Sequence, residues 1–218
     1  MASATHSAME STLVVASNRG PVSFERDEQG NVQPRRGSGG LVTVLGGVLE
    51  RDDATWVATA VTDVDREIAL RGRKLGEGGA VQQVRYVDIP PERYDGYYNG
   101  IANGILWFAH HYLWDMARTP SFDERTEHDW TDYVEANRAF ARALVSEARH
   151  EPVYLIQDYH LTLVPEMLRR LVPDARIVHF SHTPFAGPTY LRILPTRMRE
   201  DLLRGMLGAD VCGFQSEK

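Results

Sequence analysis

The sequence predicts an α/β fold, a mainly parallel sheet with helices on both faces, and two features carry the prediction. Short continuous apolar runs recur along the chain, the pattern of strands buried on both faces. Each run leads into a polar or glycine-rich loop and then a helical pattern, the alternation that builds a parallel sheet.

Taken in order, residues 13–16 form the first run and lead into Ser17-Asn18-Arg19-Gly20-Pro21. A stretch rich in Gly, Arg and Gln follows, then Gly37-Ser38-Gly39-Gly40 before a helix-like segment at 41–49. Residues 56–60 and 81–87 read as strands, the second after the turn signal Gly76-Glu77-Gly78-Gly79. The segment 94–114 is aromatic and helical in character. Tyr98 and Trp107, nine residues apart, would lie on opposite sides of one α-helix. The turn-like pairs Asn99-Gly100 and Asn103-Gly104 therefore predict a break.

The longest helix is the best supported. Trp130, Tyr133, Val134, Asn137, Phe140, Ala141, Leu144, Val145 and Ala148 follow the 3–4 spacing of an amphipathic helix, with Asn137 the polar exception. Strands follow at 153–156, 177–180 and 211–214, with helices at 161–171 and 195–208. The chain stops at Gln215-Ser216-Glu217-Lys218, directly after a strand, which reads as a cut. Residues 1–12, small and polar, are expected to form a disordered tail, and residues 13–218 one domain.

Composition excludes several classes. With 218 residues, 43% hydrophobic and 25% charged, the chain matches an ordinary soluble globular protein that needs no disulfides. A formal net charge of −6 argues against nucleic-acid binding. No apolar run approaches the ~18 residues of a membrane span, and the first twelve residues lack the pattern of a signal peptide. A cytoplasmic location is expected, and a homo-oligomer stays open. The single cysteine, Cys212, sits in an apolar run and is expected to be buried. Histidines 110, 111, 160, 179 and 182 suggest a metal, but there is no H-E-x-x-H and no cysteine pair, and neighbouring helical histidines diverge. Neither metal nor cofactor is expected.

In an open parallel sheet ligands bind beyond the carboxyl ends of the strands. Those positions hold Asn18 and Arg19 after the first strand, Gln157, Asp158, Tyr159 and His160 after another, and Ser181 and His182 after a third. Gly37-Ser38-Gly39-Gly40 precedes a helix, where free backbone N–H groups can meet a phosphate. Val42 stands where a dinucleotide fingerprint would have its third glycine, which disfavours a nicotinamide enzyme.

Together Ser17-Asn18-Arg19, Gly39-Gly40-Leu41, Tyr97-Tyr98-Asn99, Leu106-Trp107, Asp158-Tyr159-His160-Leu161, His182-Thr183-Pro184-Phe185, Leu194-Pro195 and Gly213-Phe214-Gln215 resemble the N-terminal domain of the trehalose-6-phosphate synthase family, in order and spacing. The resemblance implies the front half of a GT-B glycosyltransferase, two Rossmann-like domains across a cleft, here without the donor-binding second domain. It implies transfer of glucose from a nucleotide-glucose donor to glucose 6-phosphate, with retention, to give α,α-trehalose 6-phosphate. Arg19 would grip the acceptor phosphate, and Tyr98, Trp107 and Asp158 would line the acceptor pocket. Gly39 and Gly40 would contact the donor, and His182 and Asp158 would stand at the reacting centre. No second carboxylate of a hydrolase pair is apparent beside Asp158. Gln157 stands where the family usually has His, Phe108 where it has Pro, and Thr183 and Ala186 depart from His-Ile-Pro-Phe-Pro. These departures keep open a related synthase, such as a glucosylglycerol-phosphate synthase or a pseudo-glycosyltransferase, and a non-catalytic sugar-phosphate-binding module. The donor base is not legible.

Overall fold

A computed structural model of the chain describes residues 12–37, 54–70, 84–114, 119–147 and 151–215. The central sheet has six strands, β1 (Leu13–Ser17), β4 (Ala54–Thr59), β5 (Val84–Val87), β6 (Val153–Gln157), β7 (Arg176–Ser181) and β8 (Val211–Phe214). Their spatial order is β5-β4-β1-β6-β7-β8, and every pairing is parallel. That is the 3-2-1-4-5-6 order of a Rossmann-like sheet, and it reverses between β1 and β6, the point where such folds bind their ligands. Val14, Ala16 and Val57 join one core cluster while Val15, Trp56 and Ala58 join another. With side chains alternating across a strand, both faces are buried. Among the described residues no helix is long and apolar enough to cross a membrane.

The stretch after β1 folds into an antiparallel hairpin, β2 (Val22–Arg26) and β3 (Val32–Arg36), where the sequence suggests only a loop. Asp65 of α1 (Asp63–Leu70), fully buried, anchors it by accepting the Phe24 N–H at 2.8 Å. Its second oxygen accepts the N–H groups of Val61 and Thr62, satisfying donors at the helix start.

The expected break near residue 100 does not occur. Helix α2 (Pro91–Tyr94) runs without interruption through a π-helix (Asp95–Leu106) into α3 (Trp107–His110). Gly96 and Gly100 are there for closeness rather than turning, because a Cβ at either would strike Asp132 or Asp129 of α4 (Glu124–Glu147). The i→i+5 bonding is seen where Trp107 N–H donates to Ala102 C=O. Turns are wider than in an α-helix, so nine residues make about two of them and bring Tyr98 and Trp107 back toward one side.

Helix α4 covers the sheet with Trp130, Tyr133, Phe140 and Leu144. Its polar exception is structural: Asn137, fully buried, donates to the carbonyls of Tyr133 and His160 and accepts the Leu163 N–H at 3.1 Å. The chain continues through a 3-10 turn (Tyr159–Leu161), α5 (Val164–Leu171), α6 (Pro188–Leu191) and α7 (Thr196–Leu207). Cys212 is exposed, contrary to expectation, because β8 is an edge strand, with Val211 and Phe214 exposed beside it.

Candidate functional site

The loop after β1 is held by a relay. Trp56 Nε1 donates to Ser17 Oγ at 2.8 Å, and that hydroxyl donates to the Arg19 carbonyl at 2.6 Å. Asn18 is buried between Thr59, whose hydroxyl donates to its amide oxygen, and the Tyr94 hydroxyl at 3.3 Å. The relay fixes the backbone while the Arg19 side chain stays exposed. Its guanidinium carbon lies 5.7 Å from the centroid of the Tyr98 ring, and Nη2 donates to the Tyr98 hydroxyl at 3.5 Å. No acid among the described residues is recorded as its ion-pair partner.

Tyr98 is stacked between Tyr94 at 5.2 Å and His160 at 5.6 Å, and His160 is stacked on Tyr159 at 4.2 Å. The Tyr159 hydroxyl donates to Asn103 of the π-helix at 2.9 Å. This row of rings leads from Arg19 to Asp158, whose Oδ2 is 3.6 Å from His160 Nδ1. Asp158 follows β6 directly, across the strand-order reversal from Asn18 and Arg19. Its backbone adopts φ 73°, ψ 168°, a region almost reserved for glycine. Burial alone would push the Asp158 carboxyl up. Hydrogen bonding and electrostatic attraction to His160, the Tyr159 N–H and the nearby His182 ring outweigh it and hold the group below the usual range, ionised.

His182, after β7, is held at both ends. Its backbone N–H donates to Asp158 Oδ1 at 3.2 Å, and its ring Nε2 lies 2.9 Å from the Gln157 amide oxygen. Burial pushes its ring pKa down, with Asp158 pulling the other way. Three strand ends thus supply Arg19, Asp158 and His182, which the sequence singles out, and the π-helix supplies Tyr98. Trp107 shares that helical segment but packs against His111 at 4.4 Å and Phe108 at 5.2 Å. Gly39 and Gly40 lie outside the described residues.

Sequence reasoning passes over Tyr94 and Asn103, whose partners are 76 and 56 residues away in the chain. Gln157 it places at a strand end and notes as a departure, without its bond to His182. The histidines diverge as expected: His111 Nδ1 lies 2.7 Å from the Trp107 carbonyl, while His110 Nδ1 accepts the Ala186 N–H at 3.2 Å. Among the described residues no group of side chains could hold a metal ion. A cavity of about 950 Å³ lies elsewhere, lined by Phe185, Leu191, Leu203 and Phe214 with Arg192 and Arg199. It includes none of Arg19, Tyr98, Asp158 or His182.

Known proteins resemble this chain in sequence and fold. A family model described as glycosyltransferase family 20 matches residues 11–218. The UDP-forming α,α-trehalose-phosphate synthase 1 of Aspergillus fumigatus is 37% identical over 213 residues, covering 95% of this chain and 39% of its own. The validamine 7-phosphate valienyltransferase of Streptomyces hygroscopicus subsp. jinggangensis is 31% identical over 223 residues, covering 95% and 43%. A solved trehalose-6-phosphate protein from Escherichia coli, bound with UDP-2-fluoro glucose, superposes with a TM-score of 0.70 at 27% identity, covering 95% of this chain and 40% of that one. The chain thus spans about two fifths of the relatives it matches. With nearly its whole length matched by the family model and by these relatives, the chain belongs to glycosyltransferase family 20.

Proposed function

We propose that this chain is the acceptor-side domain of a retaining glycosyltransferase that moves glucose from UDP-glucose to glucose 6-phosphate, giving α,α-trehalose 6-phosphate. The observation that carries the reading is Arg19, a guanidinium without an acidic partner among the described residues, poised over Tyr98 at the strand-order reversal and linked by stacked rings to an ionised Asp158. A planar fork suits a phosphate, and its exposure leaves it free to take one. Aromatic faces suit the C–H surfaces of a hexose, and a carboxylate that only accepts suits its hydroxyls.

Asp158 receives hydroxyl hydrogens of the acceptor sugar, Tyr98 and Trp107 bound its pocket, and His182 stands against the transferred glucose. Gly39 and Gly40 approach the donor phosphates. The proton of the attacking hydroxyl passes to the departing donor phosphate, so no protein nucleophile is required. The choice of UDP rests on the name of the Aspergillus relative and on the nucleotide in the Escherichia coli structure. A separate donor-binding domain and a cytoplasmic location belong to the same reading. The relationship to the valienyltransferase supports a second reading, a C–N bond-forming enzyme acting on an amino-cyclitol phosphate. A transfer assay on the full-length protein, with UDP-glucose and a panel of phosphorylated acceptors, separates the two. Preference for glucose 6-phosphate supports the first, and inertness toward it in a folded protein that accepts an amine contradicts it.

A further inference from the structure

Gln157 is the last residue of β6 and only 3% exposed, and its amide oxygen lies 2.9 Å from His182 Nε2. An amide oxygen can only accept, so Nε2 carries a hydrogen. A neutral imidazole has one N–H, so Nδ1 then bears a lone pair. The rest of His182 is fixed independently, by the backbone bond to Asp158 Oδ1, by the Ser181 hydroxyl closing onto the Thr183 carbonyl at 3.1 Å, and by the Phe180 ring at 4.8 Å. No hydrogen bond to Nδ1 is recorded among the described residues.

We infer that Gln157 is a positioning residue: it fixes His182 as the Nε2–H tautomer and leaves Nδ1 as a hydrogen-bond acceptor for a hydroxyl of the bound sugar. Rotating the amide by half a turn would reverse the logic, placing the hydrogen on Nδ1 and making His182 a donor. Glutamine serves because its amide is neutral and does not titrate, so the tautomer holds without charging the ring. The sugar as ligand rests on the function proposed above; the tautomer does not.

The first test involves no sugar. Long-range proton–nitrogen NMR correlations on the ¹⁵N-labelled chain, with His182 assigned by His182→Gln, should show Nε2 protonated and Nδ1 bare. Gln157→Leu should give a mixture of tautomers. If Gln157→Leu does not fold, Gln157→Glu carries the test, keeping the Nε2–H pattern while moving the His182 titration to higher pH. A bare Nε2 in the wild-type chain, a Gln157→Leu spectrum like wild type, or an unmoved titration in Gln157→Glu overturns the inference, whether or not the enzyme makes trehalose 6-phosphate. The second test uses full-length enzyme and a set of deoxy-glucose nucleotide donors. Wild type should lose about ten- to a hundred-fold in kcat with the donor lacking the contacted hydroxyl, and Gln157→Leu should lose that discrimination while its KM for acceptor holds. Equal discrimination in wild type and Gln157→Leu overturns the role toward the sugar.

Discussion

The carboxylate of Asp158 accepts the backbone N–H of His182 at 3.2 Å while its own backbone sits at φ 73°. Such a conformation costs about 1–3 kcal/mol in a residue with a Cβ. The strain persists at the point where the carboxylate reaches both His182 and His160. Asp158→Ala keeps the strain and loses the contacts, whereas Asp158→Gly loses the contacts and relieves the strain. Chemical denaturation should find the Gly variant more stable than the Ala variant by about 1–3 kcal/mol, with acceptor binding lost in both. Equal stabilities would remove the strain argument.

Stability should fall in mild acid. Burial pushes His110 and His179 down to about 4, with the Asp158 charge opposing it in both. Unfolded histidine titrates near 6.5, so between these values the unfolded chain binds more protons and the folded state loses ground as pH drops. The contribution is full above about pH 6.5 and gone near pH 4. From pH 7 to pH 5 each ring should cost on the order of 2 kcal/mol. Urea unfolding at the two values measures the sum, and His110→Phe should remove about half of the difference. A flat profile would contradict buried neutral rings.

Much of the fold was legible because it rests on local pattern. The continuous runs at β1, β6 and β7 and the 3–4 spacing of α4 are properties of short windows. The hairpin escaped because Val22–Arg26 has only two alternating apolar residues, too short a signal, and Val32–Arg36 is polar after Val32 and holds Pro34. The π-helix escaped because its glycines answer to aspartates of another helix, some thirty residues on. Strand-end position was enough to place Arg19, Asp158 and His182 along one rim of the sheet. The contacts that position them, Tyr94 on Asn18 or Gln157 on His182, exist only once the strands are side by side.

Asn137 shows what a polar residue on an apolar stripe can be for. Asn137→Leu would leave the His160 carbonyl and the Leu163 N–H without the partner they have now, at a cost of about 2–4 kcal/mol. Urea unfolding of the variant checks this, and a loss under 1 kcal/mol would mean that water replaces the amide.

Arg19 should matter to ligand and not to fold. It is exposed, and among the described residues its side chain bonds to Tyr98, so Arg19→Ala should leave the melting temperature nearly unchanged. In the full-length protein the acceptor kcat/KM should fall about thirty- to a thousand-fold, the loss of one charge-assisted contact of roughly 2–4 kcal/mol. Arg19→Lys should recover only part of it, keeping the charge without the fork. A folded Arg19→Ala protein that still prefers the phosphorylated sugar as strongly as wild type would remove the phosphate role.

The most direct test of the proposed function is the product itself. Full-length protein given UDP-glucose and glucose 6-phosphate should release α,α-trehalose 6-phosphate, with two α-anomeric signals in its proton NMR spectrum. A folded, monodisperse protein that transfers glucose to a different acceptor but not to glucose 6-phosphate, or that forms a β linkage, would contradict the account.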